Sequence, residues 1–250
     1  MIRAILSREM KIFFKSFPKI IIASAMLPFL LLITFGKIVG NIVPTIDNID
    51  YLTYVSYSLA VITSMVVSTF VTGFEYQADF KGTKNIENLV VAPSTTWEIL
   101  LGKSMSYGIK GICSGIAFLL ISLAVGARIE VWYGLIVCII PLFITGVLFS
   151  LISTILACIT NSYDEMAAML NIIVFPCMLL SQTFFSPDIL SNWASNFIYI
   201  SPLYYNVAVF RSICLGNFGI TEMINLIISF LYLFFILKIA ILTFNKKIKL

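Results

Sequence analysis

Six stretches of about twenty apolar residues, separated by short polar segments, leave this chain few ways to fold. They run over roughly 20–40, 53–74, 104–126, 133–158, 165–185 and 222–244. About 20 apolar residues are needed for a helix to cross the hydrocarbon core of a bilayer, and each stretch reaches that length. Inside lipid every backbone N–H and C=O must find its partner within the protein, so such stretches are helices. Charge is scarce in the way this demands: 11% of the 250 residues are charged, against about 25% in a soluble domain. Mean hydropathy is +1.03. The expected fold is therefore an all-α integral membrane protein of six transmembrane helices, forming a single transmembrane domain over 1–250. Pro28, Pro141 and Pro176 fall inside three of the stretches. In a membrane they mark kinks rather than breaks, because neighbouring groups satisfy the freed carbonyls.

The first 19 residues differ from the apolar stretch that begins at 20. Arg3, Arg8, Lys11, Lys15 and Lys19 interleave with Ile2, Ile5, Leu6, Met10, Phe13, Phe14 and Phe17 at helical spacing. This pattern predicts a basic amphipathic helix in the membrane interface over 1–19, not a cleavable signal peptide. The remaining basic residues orient the chain. Lys81, Lys84 and Lys103 lie in the connection after the second stretch, and Lys246, Lys247 and Lys249 lie in the tail. Only Lys37, Arg128 and Arg211 fall on the other side. Both termini and the connection 75–103 are thus assigned to the cytoplasm, and the protein to the cytoplasmic membrane. Lys110 and Lys238 are expected to snorkel from nearby helix ends, and no ionisable residue is expected to be centrally buried in a span.

Two connections are more than loops. In 75–103, Gly82 and Pro93 bracket a segment in which Ile86, Leu89 and Val90 share one helical face, with Lys84, Glu87 and Asn88 pointing elsewhere. The pattern predicts a short amphipathic helix over 84–91, closed by Pro93. It is a natural docking peg for a soluble partner, with Leu89 and Val90 as anchors and Lys84, Asn85, Glu87 and Asn88 around them. In 186–221, Ser186-Pro187-Asp188 starts a short helix and Pro202 breaks the chain. Leu203–Leu215 then reads as a second helix ending at Gly216. The pieces of 186–216 are too short to span and are expected to form an outer re-entrant pair.

Several function classes are excluded. The chain has no histidine, and its five cysteines are scattered without a CxxC. Zinc sites and His-based acid–base chemistry are therefore not expected, and the cysteines read as packing residues. Gly102-Lys103-Ser104 imitates the end of a phosphate-binding loop, but Trp97 stands where that loop needs its first glycine. The chain binds no nucleotide of its own on this reading and is not itself an enzyme. Nucleic-acid binding is not expected either, since no basic face interleaved with aromatics lies outside the membrane segments. A polar transport path would draw on Glu75, Asn171, Gln182, Thr183, Tyr204 and Tyr205. Asn171, Ser181, Gln182 and Thr183 equally suit hydrogen bonds between helices. Gly36-x-x-x-Gly40 and Gly111-x-x-x-Gly115 predict close helix contacts.

Three runs resemble a known family. The first is Asn85-Ile86-Glu87-Asn88-Leu89-Val90-Val91-Ala92-Pro93, followed by Glu98-Ile99-Leu100-Leu101-Gly102-Lys103. The second is Val147-Leu148-Phe149-Ser150-Leu151 through Asn161-Ser162-Tyr163-Asp164-Glu165. The third is Phe184-Phe185-Ser186-Pro187 through Ile200-Ser201-Pro202-Leu203-Tyr204-Tyr205 and Phe210-Arg211. Their order and spacing are similar to those of ABC-2 type permeases, the membrane subunits of ATP-binding-cassette exporters. The group with nodulation-factor and daunorubicin-resistance permeases is the nearest. Ser201 departs from the asparagine often found before the proline of the third run, and the acidic loop at Asp164 and Glu165 is short.

The resemblance implies six helices per subunit, a coupling helix at 84–91 and a re-entrant pair before the last span. It implies a dimer with a second permease copy or a paralogue, and two copies of a separate ABC ATPase that holds the ATP and Mg2+. Asp164 and Glu165 would face that ATPase from a second cytoplasmic loop. The cargo would move outward and is often amphipathic or lipid-linked: a glycan or lipo-oligosaccharide, a drug or a peptide. A channel or secondary carrier working without ATP is the alternative. It would act without an ATPase and would usually keep a charge near the membrane midplane.

Overall fold

The computed structural model describes residues 2–46, 49–81, 95–132, 134–184 and 196–248. Helix α1 (Ile2–Leu31) continues without a break into π-helical turns over Leu32–Val39, so the basic amphipathic segment and the first apolar stretch form one rod. Pro18 and Pro28 lie inside it. A minimal antiparallel hairpin, β1 (Thr45–Ile46) with β2 (Ile49–Asp50), turns the chain into α2 (Tyr51–Lys81). The Asp50 carboxylate caps α2, accepting from the Thr53 N–H at 3.2 Å.

Helix α3 (Thr96–Val125) begins where the Glu98 carboxylate accepts from the Thr95 N–H at 2.9 Å. One turn, α4 (Gly134–Val137), leads through Cys138 into α5 (Ile139–Ile159). Helix α6 (Tyr163–Leu179) is capped by Ser162, whose hydroxyl accepts from the Glu165 N–H at 3.1 Å. Helix α7 (Pro202–Leu215) has proline at its first position, where the missing N–H costs nothing. Helix α8 (Ile220–Ile248) closes the chain.

This is an all-α membrane fold. Among the described residues, five rods are long and apolar enough to cross a bilayer: Ile2–Val39, Tyr51–Lys81, Thr96–Val125, Gly134–Ile159 and Ile220–Ile248. Helix α6 has 17 residues and stops at Leu179, where the stretch 165–185 reads as one span in the sequence. That puts it at the short end of the spanning range.

Helix α2 is the axis. It packs on α3, α5, α6, α7 and the π-helical turns. Its hydroxyls, from Thr53 and Ser56 through Ser64, Ser68 and Thr72, are buried all round it. Ser64 donates to the Leu142 carbonyl at 3.1 Å and Ser68 to the Tyr107 carbonyl at 3.1 Å. Ser153 on α5 returns a bond to the Thr69 carbonyl at 2.8 Å. Glycines make these approaches possible: a Cβ on Gly111 would lie 2.5 Å from Ser64 Oγ, and one on Gly146 would lie 2.9 Å from Gly108 Cα. Packing and interhelical hydrogen bonds, not an apolar driving force, hold helices together in lipid. Helix α8 is the opposite case. Phe230, Leu231, Phe234, Phe235 and Leu242 stand exposed along it, facing what would be lipid or another chain.

Candidate functional site

Polar side chains collect at the two ends of α2. At the end leading into 82–94, three helices bring charges together. On α3, Lys103, Tyr107 and Lys110 are spaced by four and three residues, so they share a face. On α2, Glu75 and Asp79 are four apart. On α1, Glu9 lies between Ile5 and Phe13 on the buried side of the amphipathic helix. Lys110 Nζ lies 3.4 Å from a Glu9 carboxylate oxygen and 3.2 Å from one of Glu75. The Tyr107 hydroxyl donates to Glu75, and Lys103 pairs with Asp79. The ammonium groups also sit over rings, Lys110 over Tyr107 at 4.3 Å and Lys103 over Tyr76 at 4.4 Å.

Both lysines are only 1% exposed. Buried charges persist only when paired and hydrogen-bonded, and each of these is. The expectation that Lys110 snorkels outward is therefore corrected. So is the placing of Lys103 in a loop, since it lies on α3. Long lysine stems reach inward here because carboxylates on two neighbouring helices meet them. Lys238 is exposed, with its ammonium 4.5 Å from the centre of its own helix's Phe234 ring. Glu75 is six residues from the last residue of α2, about 9 Å along the axis, so the cluster sits toward one end of the bundle.

The other end is built differently. Arg211 on α7 is buried and donates through one nitrogen to Ser58 Oγ at 2.6 Å and to the Gln182 carbonyl at 2.9 Å. Its guanidinium lies 3.6 Å from the centre of the Tyr54 ring. Arginine suits this place because its weakly hydrated, planar cation stacks and bonds at once. The Tyr51 hydroxyl donates to the Phe184 carbonyl at 3.0 Å, and the Tyr57 hydroxyl to the Arg128 carbonyl at 2.8 Å. A row of rings runs beside them: Tyr199 and Tyr204 with centroids 5.1 Å apart, Tyr204 and Tyr205 at 5.1 Å, Tyr205 and Tyr232 at 6.0 Å.

The path candidates do not converge on one line. Glu75 belongs to the ionic end. Gln182, Thr183, Tyr204 and Tyr205 belong to the arginine end, where Thr183 is buried against Ser181, 2.6 Å between hydroxyls. Asn171 stands apart, exposed on α6 and donating to the Ala167 carbonyl at 2.8 Å. Asp164 and Glu165 are exposed in the first turn of α6, where Glu165 also accepts from the Asn161 N–H at 2.6 Å. Lys84, Asn85, Glu87, Asn88, Leu89 and Val90 lie outside the described residues, as does the first part of 186–216. Sequence reasoning missed Glu9, Asp79, Lys103, Lys110 and Arg211 as interacting groups. The signal was present for the first four: acids four apart on α2, lysines seven apart on α3, and a glutamate on the apolar face of α1. Among the described residues, no cluster of side chains suits a metal ion.

Comparison with known proteins gives a consistent result. A family model described as ABC-2 type transporter matches residues 1–215. Nodulation protein J of Rhizobium meliloti (strain 1021) is 23% identical over 190 residues, covering 76% of this chain and 72% of that protein. The inner membrane transport permease YadH of Escherichia coli (strain K12) is 23% identical over 216 residues, 86% of this chain and 83% of its own length.

Proposed function

The chain belongs to the ABC-2 type transporter family, and from that membership we propose that it is the permease subunit of an ATP-driven exporter. It is a multi-pass cell-membrane transport protein. The proposal adds direction and power. Two copies of a separate ABC ATPase bind ATP and Mg2+, dock on 84–91 of each permease in a dimer, and drive an amphipathic or lipid-linked cargo outward. The second copy is this chain or a paralogue, and both termini lie in the cytoplasm.

The observation that carries the reading is the ionic end of α2 and α3. These two helices flank 82–94, and buried ion pairs lock them together and to α1 just where a push on that segment would arrive. A docked helix transmits motion only into a root that moves as a unit. Two charge-paired helices are such a root, whereas helices joined by apolar contacts alone can slide. Helix α2 then carries the displacement along its 31 residues, about 46 Å, to Tyr54 and Ser58 at the arginine end.

The test is purification from the native membrane in mild detergent. An ATPase should co-purify, and Glu87→Lys or Leu89→Asp should lose it while the chain still inserts and folds. Recovery of a transport-active chain with no ATPase would establish the alternative, an ATP-independent channel or carrier. Normal export by both variants would remove the docking assignment.

A further inference from the structure

Cys138 and Cys214 come from different helical segments and meet at the arginine end. Cys138 is the single residue between α4 and α5, and Cys214 is next to last in α7. Their sulfurs are 3.3 Å apart, and each residue is 1% exposed. The approach is imposed by the backbones. Gly134 sits so close to α7 that a Cβ there would lie 2.7 Å from the Ile213 carbonyl oxygen, one residue before Cys214. With the main chains this near, two short side chains point into the same gap. A disulfide needs sulfurs about 2.05 Å apart, so closing it requires about 1.2 Å of approach, within reach of small χ1 rotations. Cys113, Cys158 and Cys177 have no such sulfur neighbour among the described residues.

We propose that Cys138 and Cys214 are a redox modification site, a thiol pair that a peroxide-class oxidant closes into a reversible disulfide pinning α7 to the start of α5. The chemistry balances in two steps. One thiol gives up its proton as its sulfur attacks a peroxide oxygen; the O–O bond breaks, a sulfenic acid forms, and the departing oxygen takes that proton and leaves as water. The second sulfur then attacks the sulfenic sulfur; the S–S bond forms, the S–O bond breaks, and a second water carries away that oxygen. Two thiols are oxidised, and one hydrogen peroxide is reduced to two waters. Peroxide suits a buried pair because it is small and uncharged, whereas a bulky disulfide oxidant would need the helices to part. The residues enclosed are those between 138 and 214, so the bond would also tether 181–184, whose Gln182 carbonyl holds Arg211. Arg211 lies three residues before Cys214 on α7. The position of that arginine thus becomes a function of the oxidation state of the pair.

The experiment uses the purified full chain in detergent, treated with hydrogen peroxide and then denatured and titrated with a maleimide. Wild type should fall from its five thiols to three, migrate as an un-crosslinked monomer on a non-reducing gel, and regain five with dithiothreitol. Its thermal midpoint should rise on oxidation and return on reduction. Cys138→Ser and Cys214→Ser should each hold four thiols through peroxide and show no rise. Five thiols remaining in oxidised wild type would overturn the proposal. So would loss of thiols in the serine variants, or a disulfide that leaves the midpoint unchanged.

Discussion

The two ends of α2 solve the same problem with different chemistry. One end holds full charges in pairs: Glu9 and Glu75 with Lys110, and Asp79 with Lys103. The other holds one cation against dipoles and a ring: Arg211 with Ser58, the Gln182 carbonyl and Tyr54. Paired charges are rigid and unforgiving, since taking one away leaves another buried without compensation. A guanidinium that bonds a hydroxyl and a carbonyl and stacks on a ring can exchange those neutral partners at smaller cost. On the proposed exporter reading, the contrast suits a permease whose driven end moves as a block while the far end rearranges.

The sharpest way to break this contrast is at Lys110. Replacing it with Met removes the shared cation from the buried Glu9 carboxylate and the half-buried Glu75 carboxylate. The expected loss is about 3–5 kcal/mol of stability, read as a large fall in thermal midpoint in detergent. Combining Lys110→Met with Glu9→Gln should restore part of it, because less charge is then stranded. If Lys110→Met melts like wild type, the ion pairs do not hold the block together.

Arg211 should matter less to stability. Arg211→Met loses two charge-assisted hydrogen bonds and a stacked ring. A loss of about 1.5–3 kcal/mol is expected, the range for a hydrogen bond to a charged group. Arg211→Lys should not rescue it, because an ammonium cannot stack flat on Tyr54 while reaching both acceptors. A larger loss than that of Lys110→Met would reverse the comparison.

Much of the fold was legible because length and hydropathy are local properties. Five of the six apolar stretches lie on the long helices, and the Pro202 start and Gly216 stop of α7 can be read directly in the chain. The charges were not legible because their partners are remote. Lys110 bonds residues 101 and 35 positions away, and Arg211 bonds Ser58 across 153. Read alone, a lysine near a helix end looks like one that snorkels; only the packing of α1 and α2 on α3 makes it internal. The central role of α2 did leave a trace. Hydroxyls from Thr53 to Thr72 spread round much of it, which suits a helix surrounded by protein and not one bathed in lipid. α8 carries few such groups and exposes Phe230, Phe234 and Phe235.

The Ser162 cap supplies a smaller measure, away from both ends. Ser162→Ala removes the acceptor of the Glu165 N–H and should lower stability by about 1 kcal/mol, read in the same melts. Smaller still is the effect expected at Asn171, which separates one chain from two. Among the described residues its amide bonds only the Ala167 carbonyl of its own turn, and it is exposed on α6. Within one chain nothing depends on it, so Asn171→Leu should change the thermal midpoint of the isolated subunit by no more than the equivalent of about 0.5 kcal/mol. The informative comparison is with the proposed dimer. If α6 faces lipid there, leucine is at least as comfortable as asparagine and the dimer is unaffected. If α6 faces the second permease, the amide has a partner across the interface, and its loss should weaken dimerisation in a crosslinking titration while leaving the monomer's melt unchanged. Since α6 presents Met169, Ile172, Phe175 and Leu179 on exposed positions around Asn171, a lone amide among them has little to gain from lipid, and weakened dimerisation is the expected result.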